Sequence, residues 1–180
     1  MIQAGDILLS QPFMEDPYFK RTAVLVCEHS DDGTVGFILN KPVDTLIDDL
    51  IPDFPDFEDT VFYGGPVGAD TLHFIHTLGD RLEGALEVVP GVFWGGNYEQ
   101  LKELISMGLV QPEDINFYIG YSGWSPGQLL DEYSAEHWLS HRASRSLIFE
   151  KDHSELWHTI LKEKGDTFHI ISELSDQLSN

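Results

Sequence analysis

Apolar residues along this chain gather in short runs bounded by Gly, Pro, Asn and Asp, the pattern of strands joined by tight connections. Asp6 to Ser10 predicts a first strand leading to Pro12. Thr22 to Cys27 is nearly continuous, as expected of a strand covered on both faces. Asp31-Asp32-Gly33 is a turn signal and Val35 to Leu39 a second strand, so 21–40 predicts a hairpin. Val61 to Tyr63 and Leu72 to Thr77 predict further strands. Asp80 to Gly84 reads as the next connection, and Ala85 to Val89 as the strand returning from it. Val92-Phe93-Trp94 and Leu147 to Phe149 are short apolar pieces, and Trp138 to Ala143 predicts a strand.

Helical spacing is rarer. Leu46, Ile47, Leu50 and Ile51 predict a short helix ended by Pro52, followed by a loop over 52–59 pinned by Phe54 and Phe57. Tyr98, Leu101, Leu104 and Ile105 predict an amphipathic helix stopped at Gly108. Glu155 to Lys164 predicts another, stopped at Gly165, and the tail from Thr167 reads either as a weaker helix or as a fraying end. Strands and helices do not alternate strictly, which favours an α+β fold over a doubly wound parallel sheet. With no linker, repeat or low-complexity tract, residues 1–180 are expected to form one domain.

The most specific stretch is 117–139. Ile115, Phe117, Tyr118 and Ile119 predict a buried strand, and Gly120 and Gly123 bracket a predicted turn. Ser125 is a good N-cap, Pro126 suits the first helical position, and Gln128 completes a capping-box spacing. Leu129, Leu130 and Tyr133 then give an apolar stripe. Such a junction offers backbone N–H groups to a small anion or a carbonyl, or it serves only to pack Trp124 into a core.

Several of these pieces together resemble the YqgE/AlgH family of bacterial proteins. They are Gly5 to Pro12, Phe19 to His29, Gly33 to Gly36, Asn40-Lys41-Pro42, Gly64-Gly65-Pro66-Val67 and Gly120 to Glu132 followed by Trp138. Their order and spacing carry the resemblance. It implies a mixed or antiparallel bent sheet folded into a pseudo-barrel and packed with several short helices. It also brings the label of a transcriptional regulator, and no catalytic residue or cofactor.

Composition narrows the function. Ten basic against 31 acidic residues give a formal net charge of −21, which opposes approach to any polyanion. Arg142, Arg145 and Lys151 are close in sequence, but Glu150 lies among them and no basic helix-turn-helix is present, so direct nucleic-acid binding is not expected. A single cysteine, Cys27, excludes an internal disulfide and fits a reducing compartment. The first Lys is Lys20 and no apolar run approaches spanning length, so the expectation is a cytoplasmic chain with no membrane segment.

The candidate chemistry is sparse. Gly120-x-Ser122-Gly123 comes near a nucleophile elbow, but the elbow needs Gly where Trp124 stands, so a serine hydrolase at Ser122 is a weak alternative and no catalytic residue is named. Cys27, among Val and Leu, reads as an inert core thiol. His137 and His141 lack a zincin motif, His73 and His76 face opposite sides of a strand, and His153, His158 and His169 have no ligand spacing, so no metal is expected. The candidate pocket is formed by three loops leaving strands: Asn40 and Lys41; Gly64, Gly65 and Pro66; and Gly120, Gly123, Trp124 and Gln128. Converging N–H groups with Lys41 would suit a small polar or anionic ligand; otherwise the glycines only permit tight sheet corners. The acids over 44–59 read as a solvated loop or as a face for a basic protein partner.

Overall fold

A computed structural model describes residues 1–179, without the side chains of residues 166–169, 172 and 179. The elements are β1 (Asp6–Ser10), β2 (Ala23–Ser30), β3 (Gly33–Ile38), β4 (Pro42–Leu46), α1 (Ile47–Leu50), β5 (Thr60–Tyr63), β6 (Val67–His76), β7 (Leu86–Val89) and β8 (Val92–Trp94). Then follow α2 (Tyr98–Ser106), β9 (Ile115–Trp124), α3 (Gln128–Ser134), β10 (Trp138–Arg142), α4 (Arg145–Phe149), α5 (Leu156–Glu163) and α6 (Asp166–Ser179). Ten strands form one mixed sheet in the order β10-β1-β2-β3-β9-β6-β8-β7, with β4 and β5 attached beside β9. The path does not close into a barrel, but it bends until Val89 of β7 packs against Gly5, next to β1 at the far end. The fold is α+β, as the pattern predicts.

Strand periodicity sorts the core. In β1 to β3, Ile7, Leu9, Leu25 and Phe37 enter one cluster, while Leu8, Val24, Val26 and Ile38 enter another on the opposite face. The continuous apolar runs thus mark strands covered on both sides. The concave cluster is filled from the C-terminal segment by Ile148, Trp157, Ile160 and Leu161, and Trp157 Nε1 donates to Ser10 O at 3.0 Å. A third cluster joins Phe54 and Phe57 of the 52–59 loop to Leu101 and Ile105 of α2. Among the described residues no helix is long and apolar enough to cross a membrane.

β9 is the axis of the sheet. Along one edge it pairs with β6; along the other it pairs first with β5, in parallel over Phe117–Ile119, and then with β3, antiparallel over Ser122–Trp124. Gly120, at φ 70°, sits where the partner changes. The predicted turn at 120–123 is therefore a bend inside a ten-residue strand. Its glycine serves the partner change, not a reversal of the chain.

Other boundaries also shift. Ala85 to Val89 does not return onto β6: β8 lies between, paired to both β6 and β7. The real turn in the 117–139 stretch is Ser125-Pro126-Gly127-Gln128, where Gln128 N donates to Ser125 O at 3.0 Å. Pro followed by Gly127 at φ 77° is the chemistry of a type II turn, so α3 starts at Gln128 with Gly127 as its cap, and Ser125 is not the cap. One half of the expected box survives, since Gln128 Oε1 accepts from Ser125 N at 3.0 Å. Leu147 to Phe149 lies in α4, capped by Ser144. The tail after Gly165 is helical as α6.

A buried charge pins the C-terminal segment to the sheet. Lys151, just after α4, donates to both carboxylate oxygens of Asp59 (3.0 and 3.1 Å), to Ile115 O (2.7 Å) and to Asn116 Oδ1 (2.6 Å). Asn116 in turn donates to Ile148 O at 2.7 Å. Burial raises the Asp59 carboxyl to about 6 against the pull of Lys151, and burial lowers the Lys151 ammonium.

Candidate functional site

The predicted site residues fall into two groups. Gly64, Gly65 and Gly120 do come together, but backbone against backbone. A Cβ on Gly64 would collide with Gly120 O, one on Gly65 with Tyr121 and Ser122, and one on Gly120 with Gly65 O. Gly64 N donates to Ile119 O, and Gly64 O accepts from Ile38 N at 2.9 Å and from Ser122 Oγ at 3.0 Å. These glycines make the close crossing where β9 changes partners. Ser122 is fully buried in that crossing, with its hydroxyl committed to Gly64.

Asn40 is used structurally as well, accepting from Ala23 N and donating to Arg21 O. Lys41 donates to Tyr18 O and lies 5.9 Å from the Tyr63 ring centre. Pro66, half-buried, directs the chain into β6.

Gly123, Trp124 and Gln128 instead line a cleft of about 850 Å³ with Gln11, Phe13, Met14, Phe19, Ala135, His137 and Trp138. Its carboxylates are Glu15, Asp16, Glu132 and Glu136; among the described residues no Lys or Arg lines it. Local structure explains each wall. β9 delivers Trp124, β10 delivers Trp138, and α3 spans the distance between them. Asp16 accepts from Tyr18 N and Phe19 N, shaping the turn that brings in Phe19. The Phe19 ring then stacks on Trp124 at 6.1 Å and meets Trp138 edge-on at 5.6 Å, while the two indoles cross at 5.9 Å. Such offset and edge contacts are the favoured aromatic geometries.

Glu132 is the pin of this aromatic floor. Its Oε2 accepts from Trp124 Nε1 at 2.8 Å and from Trp138 Nε1 at 3.0 Å, and its Oε1 accepts from Gln128 Nε2 at 3.3 Å. Two indole N–H groups that burial would otherwise orphan are thereby satisfied by one ionisable side chain. Phe13 stays 57 % exposed and forms an apolar lip. The arrangement can hold a group that is cationic at one end and apolar at the other.

Sequence reasoning did not single out Phe13, Met14, Glu15, Asp16 or Glu136 for a site. A visible signal was Glu136, which follows a helix where glycine is the usual residue. Elsewhere, Cys27 is a buried free thiol that burial pushes up, out of reach of ionisation near neutrality. His76 is buried, with Nε2 at 2.7 Å from Gly95 O, and burial lowers it; His73, half-buried, is lowered for the same reason. Among the described residues no group of three or more His, Cys, Asp or Glu side chains could hold a metal ion; the His169 side chain lies outside them.

Comparison with known proteins places this geometry. A model of the AlgH-like family matches residues 7–169. A UPF0301 protein of Chlorobaculum parvum is 40% identical over 172 residues, covering 96% of this chain and 92% of that one. A UPF0301 protein of Cytophaga hutchinsonii is 34% identical, covering 96% and 95%. Among solved structures, the AlgH protein from Pseudomonas aeruginosa superposes with a TM-score of 0.72 at 26% identity, over 91% of this chain and 90% of that one. A Corynebacterium diphtheriae protein superposes at 0.79 with 21% identity over 96% and 92%, a likeness of fold.

Proposed function

Because this chain belongs to the AlgH-like family, we propose for it the role its own cleft supports best: a non-catalytic binding module that receives a basic segment of a partner protein. The observation that carries this reading is the lining of the cleft of about 850 Å³, which among the described residues has four carboxylates and no Lys or Arg around an aromatic floor. A cleft of one charge sign focuses potential and draws in the opposite charge. The apolar lip of Phe13 and Met14 suits a segment that carries an apolar residue beside its basic one. An anionic ligand is disfavoured here, because Lys41 and Asn40 are occupied elsewhere. Ser122 offers no support for hydrolysis, since its hydroxyl is buried and committed.

The test is a fluorescence-anisotropy titration with the labelled pentapeptide Arg-Leu-Arg-Phe-Arg. Saturable binding that weakens with salt is expected, and it should be lost in Ala135→Trp, whose indole would fill the cleft. A double change of Asp44→Asn and Asp49→Asn, exposed acids outside the cleft lining, controls for net charge and should leave affinity within a factor of two or so. No saturable binding, or binding that Ala135→Trp leaves intact, rejects the role.

A part in transcription would then be indirect, through a DNA-binding partner, since 31 acidic against ten basic residues oppose contact with phosphates. Tight, steeply salt-dependent DNA binding by the chain alone in a gel shift would overturn that.

A further inference from the structure

We infer that Glu136 is the residue that selects the cleft's ligand, by presenting an unpaired carboxylate to an arginine side chain, and that it is kept there at a cost in stability. This rests on the binding role proposed above and deepens it.

The end of α3 is a Schellman motif. His137 N donates to Glu132 O at 3.0 Å and Glu136 N donates to Tyr133 O at 3.0 Å, the six-to-one and five-to-two bonds of that motif. Its penultimate position needs a left-handed backbone, and Glu136 supplies it at φ 61°. Glycine takes this conformation without penalty, whereas a residue with a Cβ is strained in it. The same chain follows the rule at two other helix ends, with Gly108 at φ 73° after α2 and Gly165 at φ 136° after α5. α3 departs from it, and the departure places a carboxylate in the cleft lining.

The other carboxylates differ in their freedom. Glu132 is engaged by two indoles and Gln128, and Asp16 by two backbone N–H groups. Glu15 is exposed and without a hydrogen-bond or ion-pair partner among the described residues, but it stands in a loop at no left-handed position, so it breaks no local rule. The Glu136 side chain is exposed and has no hydrogen-bond or ion-pair partner among the described residues. A free carboxylate beside aromatic rings suits a guanidinium, which bonds carboxylates in a planar fork and also packs on ring faces. A residue that breaks a local rule with no folding gain is one to suspect of function.

The experiment compares Glu136→Gly with Glu136→Gln in the full chain, against the same pentapeptide and its version with Lys in place of Arg. Both variants should weaken binding of the Arg peptide about tenfold or more, the worth of one charge-assisted contact. The wild type should prefer the Arg peptide, and both variants should lose that preference. Glu136→Gly should melt about 2–4 °C higher than wild type while Glu136→Gln melts at the same temperature. If both variants bind as wild type does while Ala135→Trp does not, Glu136 is rejected and the cleft stands. If Glu136→Gly melts no higher, the claimed cost is rejected. If Ala135→Trp binds normally, the cleft itself falls.

Discussion

Replacing Lys151 with methionine keeps the length of the side chain and deletes its charge. In the folded chain this strands Asp59, which is 4 % exposed, and leaves Asn116 Oδ1 and Ile115 O without their donor. Removing one partner of a buried pair costs about 3–5 kcal/mol. Lys151 is itself 31 % exposed, which puts the expectation near the lower end, about 3 kcal/mol at pH 7.5. The sign of the pH dependence follows from Asp59. Its folded-state carboxyl is raised from 3.8 to about 6, so between those values the folded chain holds the proton better than the unfolded chain does. Without Lys151 the carboxyl climbs further, and at pH 5 it is protonated. The variant then lacks only donors to two neutral acceptors, worth about 1 kcal/mol each. Urea unfolding of wild type, Lys151→Met, Asp59→Asn and the double variant at both pH values gives the coupling energy directly. The expected coupling is about 2 kcal/mol at pH 7.5 and smaller at pH 5. A loss below about 1 kcal/mol at pH 7.5, or a coupling independent of pH, would refute the reasoning.

Other changes probe the rest of the molecule. In wild type, stability relative to Asp59→Asn should rise as pH falls through about 6 towards 3.8, and should be lost as pH rises back through about 6; a flat difference curve from pH 7 to 4 would contradict this. Gly64→Ala should destabilise by about 3 kcal/mol or more, because its Cβ meets backbone that cannot yield. Gly123→Ala should cost under about 1 kcal/mol, because its Cβ meets nothing closer than 3.4 Å; equal melting temperatures for the two would undo the packing argument. Glu132→Ala should cost about 2–4 kcal/mol by orphaning two buried indole N–H groups, and Glu132→Gln less, as near-ultraviolet circular dichroism and thermal melting would report.

Much of the fold can be read from residue order. The runs at Asp6–Ser10, Ala23–Ser30 and Gly33–Ile38 are strands because they alternate two apolar faces, and α2 is helical from Tyr98 to Ser106 because its apolar residues recur on one face. The Phe54–Phe57 loop is pinned as its composition suggests. The 120–123 stretch was misleading for a physical reason. A glycine with positive φ looks the same in sequence whether it reverses a chain or bends a strand at a change of partner, and only the long-range pairing with β5 and β3 separates the two. The insertion of β8 between β6 and β7 is equally non-local.

The candidate site divides in the same way. Gly123, Trp124 and Gln128 stand in a stretch whose local chemistry is distinctive, so they could be picked out from the sequence. Phe13 and Glu15 are more than a hundred residues away from them, in a segment with no periodicity, and they reach the cleft because β1 pairs with β10 and carries the following loop past Trp138. Residue order alone determined the alternation of apolar faces, which depends on neighbours along the chain, and composition alone the surplus of negative charge. Which glycines close a crossing, which carboxylates are already committed, and which are left facing solvent were decided by strand pairing across the sheet, because a side chain's partners depend on what the fold brings beside it.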